Sequence, residues 1–139
     1  MQTPPDPGKM RLITLCRHDL PSAPPHLDLF LGPEGPAGED DQVVRTWRLD
    51  EDPMSMPDGA VQSITPLRLH RARYLQLEEP AEPRSTEGLV TPLRRGSCHI
   101  EHDSDGVLRL RIRWSDGSQG RFQLDLETMQ RLPSTESES

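Results

Sequence analysis

The sequence predicts an all-β protein, a small antiparallel β-barrel of about eight strands with long Pro/Gly-rich loops and little helix. No segment shows a convincing hydrophobic period of 3.6 residues, whereas short runs with a two-residue period recur along the chain. Proline and glycine contribute 15 and 10 of the 139 residues, which indicates frequent turns. Closing the sheet into a barrel would protect the edges that many short strands otherwise expose.

Composition suggests that only part of the chain folds. The hydrophobic share is 32%, below the usual value of about 45–50%. We expect a disordered N-terminal lead at residues 1–10, one domain at residues 11–132 and a disordered acidic tail at residues 133–139. There is no apolar run of about 20 residues and no secretory signal, and the two cysteines form no CxxC pair. A cytoplasmic location without membrane contact is therefore expected.

The first four strands are predicted at residues 11–17, 26–31, 43–49 and 67–77. In the second of these, Leu27, Leu29 and Leu31 alternate with polar residues and face the core. In the fourth, Leu75 and Leu77 are expected to point inward. Loops are predicted at residues 32–41, 50–58 and 78–85, where proline, glycine and acidic residues concentrate.

The C-terminal third is predicted as a meander, with strands at residues 97–102, 107–114 and 121–126 and a weaker candidate at 86–91. The alternation is clearest at residues 107–114. It assigns one face to the core and the other to an arginine row; the core side is Leu108, Leu110, Ile112 and Trp114, and the row is Arg109, Arg111 and Arg113. The row either follows a nucleic-acid backbone or is a solvated face paired with Glu101, Asp125 or Glu127.

A candidate metal site lies in the first two strands. His26 and Asp28 are two residues apart on a predicted strand, so their side chains share one face. His18 ends the preceding strand, and the short Pro-rich link at residues 20–25 favours adjacent strands. Two imidazoles and one carboxylate would leave coordination positions open, as a catalytic divalent cation requires. The alternative is that all three are solvated surface residues.

A second pair, His70 and Tyr74, also shares a face if residues 67–77 form a strand. A histidine at a phosphate site can donate a hydrogen bond or a proton, and a phenol can orient it. The alternative is a strand pair that merely packs.

Taken in order, the segments RHD, HLDLFL, VVRTWRL and HRARYLQLEEP resemble the 3′-phosphoesterase domain of bacterial ATP-dependent DNA ligase D, and particularly its small stand-alone relatives. The matched region runs from about residue 11 to about residue 96. The resemblance implies a compact β-barrel with a groove on one side. It implies that His18, His26 and Asp28 hold a catalytic metal, usually manganese, and that His70 contacts the phosphate beside Tyr74.

Two arginine positions of that family differ in this chain. Phe30 stands two residues after the H-x-D aspartate, and Gln62 stands eight residues before the later histidine. Other arginines would have to bind the phosphate, and the candidates are Arg17, Arg45, Arg48 and Arg71.

The resemblance implies a manganese-dependent hydrolase that processes 3′ ends of DNA or RNA–DNA in repair, acting as a monomer. Separate ligase, polymerase or end-binding repair proteins would complete the joining reaction. One alternative is a catalytically degenerate barrel that binds nucleic-acid ends or a repair protein, which Phe30 and Gln62 favour. Another is an unrelated interaction module, which the net charge of −7 favours because that charge opposes bulk binding to nucleic acid.

Overall fold

The computed structural model of the chain describes residues 10–76 and 88–133. The expected lead and tail lie outside these ranges except for Met10, which begins the first strand, and Pro133. Leu77 and the loop predicted at residues 78–85 also lie outside them.

Eight strands make up the fold: β1 (Met10–Asp19), β2 (His26–Leu31), β3 (Gln42–Leu49), β4 (Val61–Arg71), β5 (Leu89–Ser104), β6 (Val107–Trp114), β7 (Gln119–Leu124) and β8 (Thr128–Leu132). Two short 3-10 helices occur, at Pro53–Ser55 and Ala72–Gln76, and the described residues contain no α-helix. No helix in this part of the chain is long and apolar enough to cross a membrane.

The strands form one antiparallel sheet that closes on itself in the order β1-β2-β3-β4-β8-β7-β6-β5, with β5 returning to β1. The predicted all-β architecture is therefore confirmed. All consecutive strands are neighbours except β4 and β5, because β4 pairs with β8 and β5 pairs with β1. The contact between β4 and β8 is short, covering three residues of each strand, so the rest of β4 pairs only with β3 among the described strands.

Two hydrophobic clusters lie on opposite sides of the sheet. The barrel cluster fills the interior, and its fully buried members include Leu15, Leu29, Leu110 and Phe122. The outer cluster lies outside β1–β3 beneath the 3-10 helix Ala72–Gln76, and it consists of Cys16, Phe30, Val44, Ala72, Tyr74, Leu75 and Val90. Strand alternation explains the division, because adjacent residues of one strand point to opposite faces.

The prediction of a strand over residues 67–77 is wrong in its second half. β4 begins earlier, at Val61, and ends at Arg71, after which the chain turns into the 3-10 helix Ala72–Gln76. Two hydrogen bonds to residues distant in sequence hold the helix in place. Thr14 Oγ1 donates one of 2.8 Å to the Leu75 carbonyl, and Ala72 N donates one of 3.0 Å to the Asp41 carbonyl. Leu75 is buried as expected, but in the outer cluster rather than the barrel.

The expected strand count is correct for a partly mistaken reason. Residues 89–91 of the weaker candidate and the candidate at residues 97–102 belong to one long strand, β5, whereas residues 86 and 87 lie outside the described residues. The prediction did not include β8. β7 ends at Leu124, so Leu126 is 71% exposed in the following turn instead of facing the core.

The alternation predicted in β6 is confirmed for its apolar face, because Leu108, Leu110, Ile112 and Trp114 are all buried. On the other face, Arg111 and Arg113 are exposed, and Arg109 is half-buried, donating to Gln123 Oε1 at 3.0 and 3.2 Å. Arg111 pairs with Glu101 at 3.2 Å, as one alternative predicted. Asp125 instead accepts bonds from the Glu127 and Thr128 amides of its own turn.

Candidate metal centre and its cleft

The ligand set, defined as His18, His26 and Asp28, is assembled by the register of β1 and β2. His18 is directly opposite His26 in the antiparallel ladder, near the turn that joins the two strands. Asp28 lies two residues further along β2, opposite Cys16. Because side chains two residues apart share a face, all three point to the outside of the barrel.

The ligand atoms of the set converge within 4.8 Å of one another. His18 Nδ1 lies 3.3 Å from Asp28 Oδ2, and His26 Nε2 lies 3.2 Å from Asp28 Oδ1. The two imidazole rings meet edge to face, with centroids 4.9 Å apart. The sequence-based expectation that these three residues approach one another agrees with this geometry.

The polar atoms of the set fit a cation. Asp28 is 2% exposed, and His26 Nε2 and Asp28 Oδ1 are buried; they face each other at 3.2 Å without the geometry of a good hydrogen bond, and neither has another partner in the described part of the chain. Leaving buried polar atoms unsatisfied costs about 1–3 kcal/mol each, which a shared cation would relieve. Two imidazole nitrogens and one carboxylate are donors that suit Mn, Fe or Zn.

Burial dominates the electrostatics of the set. It raises the pKa of the Asp28 carboxyl, against the opposing effect of His26 and His18. It also lowers the pKa of the His26 imidazole, although the neighbouring Asp28 carboxylate acts in the opposite direction. The lowered pKa of His26 favours the neutral ring, which is the form that can donate a lone pair to a metal.

A cleft of about 420 Å³ opens beside the ligand set. His18, Asp28 and Phe30 form one wall, and β4 with the following 3-10 helix contributes His70 and Tyr74. The cleft therefore brings two members of the ligand set, His18 and Asp28, together with His70 and Tyr74, although Tyr74 lies on a helix and not on a strand. The ring centroids of His70 and Tyr74 are 6.0 Å apart.

His70 is held in a defined orientation. Its Nδ1 lies 2.9 Å from the Arg68 carbonyl oxygen, which can only accept a hydrogen bond, so Nδ1 carries the proton. In the neutral ring this leaves Nε2 as a base or acceptor. The ring also meets Phe30 edge to face at 5.4 Å.

Of the four candidate phosphate-binding arginines, two lie at the site. Arg48 is directly opposite Asp28 in the β2–β3 ladder and thus shares its face. Arg71, the last residue of β4, lines the cleft. A further cleft residue, Arg68, was not predicted; it lies two residues before His70 in the same strand, and that spacing could have revealed it.

The other two candidate arginines have partners elsewhere. Arg17 pairs with Asp19 at 3.0 Å, and Arg45 pairs with Asp103 at 3.0 Å. In the β-ladders Arg17 is opposite Leu27 and Arg45 is opposite Leu31, so both lie on the barrel side of the sheet. They are not at the cleft, because the cleft lies on the outer face.

The two positions that depart from the ligase D pattern have structural roles. Phe30 is 1% exposed and stacks on Tyr74, with centroids 5.5 Å apart and planes 14° from parallel. Gln62 has the strand parity of Ile64, which belongs to the barrel cluster, so it faces away from the cleft. Its Oε1 accepts bonds of 3.1 Å from the amides of Asp50 and Glu51.

Comparison of the chain with protein-family models and with curated proteins finds no match.

Proposed function

We propose that this protein is a metal-dependent phosphoesterase that processes 3′ ends of DNA or RNA–DNA. One observation carries the proposal: two histidines and a buried aspartate converge within 4.8 Å at a cleft that also contains His70. The resemblance to the ligase D phosphoesterase domain supplies the substrate class and favours manganese. A joining step would require separate ligase or polymerase proteins.

The ligand set would hold the cation through the two imidazoles and the Asp28 carboxylate. When bound, a divalent cation supplies Lewis acidity, which polarises a phosphoryl oxygen. Asp28 also contributes the negative charge that offsets the cation in a site where burial weakens solvation. The lowered pKa of His26 favours metal uptake, because a metal competes with a proton for this ring.

His70 is the group suited to proton transfer. With Nδ1 committed to the Arg68 carbonyl, Nε2 is the atom available to accept or donate a proton at the substrate. Arg48 on the outer sheet face and Arg68 and Arg71 at the cleft provide guanidinium groups that can orient an anionic phosphate.

The proposal is tested with a 3′-phosphorylated primer–template in the presence of manganese. We expect phosphate release that requires the cation and stops when EDTA is added. An unphosphorylated primer whose last nucleotide is a ribonucleotide tests the diesterase form of the same activity. Manganese binding without turnover on either substrate would contradict the enzymatic proposal.

A second candidate is a barrel that binds 3′ ends without hydrolysing them. Phe30 favours it, because a buried aromatic side chain packed against Tyr74 offers the phosphate no positive charge. In that case fluorescence anisotropy would detect manganese-dependent binding to a 3′-phosphorylated end, with no phosphate released. If the protein binds no manganese at all, both candidate functions fail. An interaction module without metal or nucleic-acid chemistry then becomes the better interpretation.

A further inference from the structure

A second cavity adjoins the cleft. Its volume is about 230 Å³, and it opens at the end of the barrel where the β5–β6 and β7–β8 turns lie. We call it the end pocket, and its lining includes Arg45, Trp47, Leu67, Leu69, Asp103 and Leu126. Leu69 lines both cavities, so the end pocket and the cleft share a wall on β4.

The free edge of β4 leaves a path between the two cavities. β4 pairs with β8 only over residues 61–63, so no described strand follows its edge from Thr65 to Arg71. Leu69 lies within this stretch and is 49% exposed. A ligand that begins in the cleft can therefore cross the edge of β4 at Leu69 and enter the end pocket.

The end pocket differs from the cleft in its charge. Its charged lining residues are Arg45, Asp103 and Asp125, a net charge of −1, and Arg45 is already paired with Asp103 at 3.0 Å. Leu69 and Leu126 add apolar surface that the fold leaves exposed, which is typical of a ligand site when it lies at a cavity. The end pocket therefore disfavours a phosphate and suits an uncharged, mainly apolar group.

Arg45 gives the end pocket a flat surface for stacking. Its guanidinium carbon lies over the Trp47 ring, 5.3 Å from the ring centre, and its Nη1 donates a hydrogen bond of 3.0 Å to Asp103 Oδ2. These two contacts restrain the plane of the guanidinium, while the side chain remains 36% exposed. Nucleobases stack on guanidinium planes as they do on aromatic rings.

We infer that the end pocket binds the nucleobase nearest to the phosphate that the cleft binds. The inference rests on the proposed function, and it adds that the last base of the strand is unpaired and stacks on Arg45, with Leu69 between base and phosphate. A base is planar and uncharged, which matches the flat guanidinium and the exposed leucines. An apolar side chain of a partner protein would fit the leucines but would not use the Arg45 plane.

Two 3′-phosphorylated primer–templates test the inference. They differ only in the last primer nucleotide, which is a mismatched deoxyadenosine in one and an abasic residue in the other, so neither is paired with the template. With manganese, the KM of the wild type should be at least about 5-fold lower for the deoxyadenosine substrate, because only this substrate can stack in the end pocket. Equal KM values for the two substrates would overturn the inference.

Arg45→Lys separates stacking from charge, because lysine keeps the positive charge but has no planar group. The variant should raise the KM of the deoxyadenosine substrate alone and bring the ratio of the two KM values close to one. The matched control is Arg17→Lys, at an arginine that is paired with Asp19 and lines neither cavity, and it should keep the wild-type ratio. An unchanged ratio in Arg45→Lys would show that Arg45 binds no base.

A titration without metal distinguishes failure of this inference from failure of the proposed function. In EDTA, adenosine should shift the NMR signal of the Trp47 indole N–H, assigned with Trp47→Phe, and leave the signal of Trp114, which lines neither cavity. Such a shift in a protein without manganese-dependent turnover would contradict the proposed function while supporting a base site. The absence of a shift, or an equal shift with N-acetylleucine amide, would overturn the inference.

Discussion

Asp28 carries a carboxylate that is 2% exposed, and in the absence of a cation its ionised form is poorly solvated. We therefore expect Asp28→Asn to weaken manganese binding by at least about 100-fold, measured by calorimetric titration. Without metal at pH 7, the same variant should unfold at the same or a higher urea concentration than the wild type, because it removes a buried charge.

Asp103→Asn is the matched control for this experiment. Asp103 pairs with Arg45 on the barrel side of the sheet, away from the cleft, so its variant should bind manganese as the wild type does. Equal manganese affinity in Asp28→Asn and the wild type would show that Asp28 is not a metal ligand.

The role proposed for His70 differs from that proposed for the ligand set, and the two can be separated by measurement. If the proposed activity is present, His70→Ala should lower turnover of the 3′-phosphorylated primer by roughly 10²–10⁴, the usual contribution of a positioned acid or base. Manganese affinity should stay within about threefold of the wild-type value. His102→Ala, which removes a half-buried imidazole hydrogen-bonded to Ser104 and remote from the cleft, should leave turnover unchanged. A joint loss of turnover and metal binding in His70→Ala would make His70 part of the metal site.

At the residue scale, the approach of the three ligand residues could be predicted from the sequence, because the two-residue period of a strand and a short link between strands act together. The period of two puts His26 and Asp28 on one face, and the link at residues 20–25 pairs β1 with β2, so that His18 comes opposite His26. The selection of phosphate-binding arginines was less successful. Arg17 and Arg45 were candidates by proximity in sequence, but strand parity turns both away from the cleft.

At the scale of elements, hydrogen bonds to distant parts of the chain hold the 3-10 helix Ala72–Gln76 in place. One is the buried hydrogen bond of 2.8 Å from Thr14 Oγ1 to the Leu75 carbonyl. Thr14→Val keeps the side-chain shape but leaves that carbonyl without this donor, so we expect a loss of about 1–3 kcal/mol in the free energy of unfolding, measured with urea. Thr65→Val, at an exposed position of β4, should change it by less than about 0.5 kcal/mol. Equal effects in the two variants would show that this bond does not anchor the helix.

The same helix shows why some elements could not be predicted from the sequence. In residues 67–77 the alternation of leucines with polar residues is typical of a strand, and the first part does continue β4. The bonds that bend residues 72–76 into a helix come from Thr14, Glu39 and Asp41, which are distant in sequence. β8 was not predicted for a related reason. It has one buried residue, Met129, and depends on pairing with both β4 and β7.

For the molecule as a whole, stability should decrease at alkaline pH because both thiols are buried. Burial raises the pKa of Cys16 and of Cys98 from 9.0 to about 12. Since the folded state disfavours the thiolate, this contribution to stability is complete below about pH 9 and is lost as pH rises toward 12, by up to about 1.4 kcal/mol per pH unit for each thiol. Urea unfolding between pH 8 and 11 should show this slope. The slope should be smaller in the double variant Cys16→Ala with Cys98→Ala, and an identical slope would contradict the assignment.

The two thiols also report separately on the two hydrophobic clusters, because Cys98 lies in the barrel cluster and Cys16 in the outer cluster. Cys98 is on β5, which is paired with β1 on one side and β6 on the other within the closed ring. Cys16 is covered by the 3-10 helix Ala72–Gln76, whose anchors include Thr14 Oγ1 and the backbone carbonyls of Glu39 and Asp41. Opening the ring breaks the continuous ladders of β5 with β1 and β6, whereas detaching this helix leaves those ladders intact, so local opening should expose Cys16 first.

Pulsed alkylation at pH 8 over a series of urea concentrations tests this order. In the folded protein both thiols should resist the reagent, because alkylation needs the thiolate and a pKa of about 12 leaves almost none at that pH. With Cys98→Ala, labelling of Cys16 should begin at a lower urea concentration than labelling of Cys98 in Cys16→Ala, and Thr14→Val should widen the difference. If both thiols become reactive at the global unfolding midpoint, the outer cluster and the barrel form one cooperative unit. The cleft wall made by Tyr74 would then be as rigid as the barrel itself.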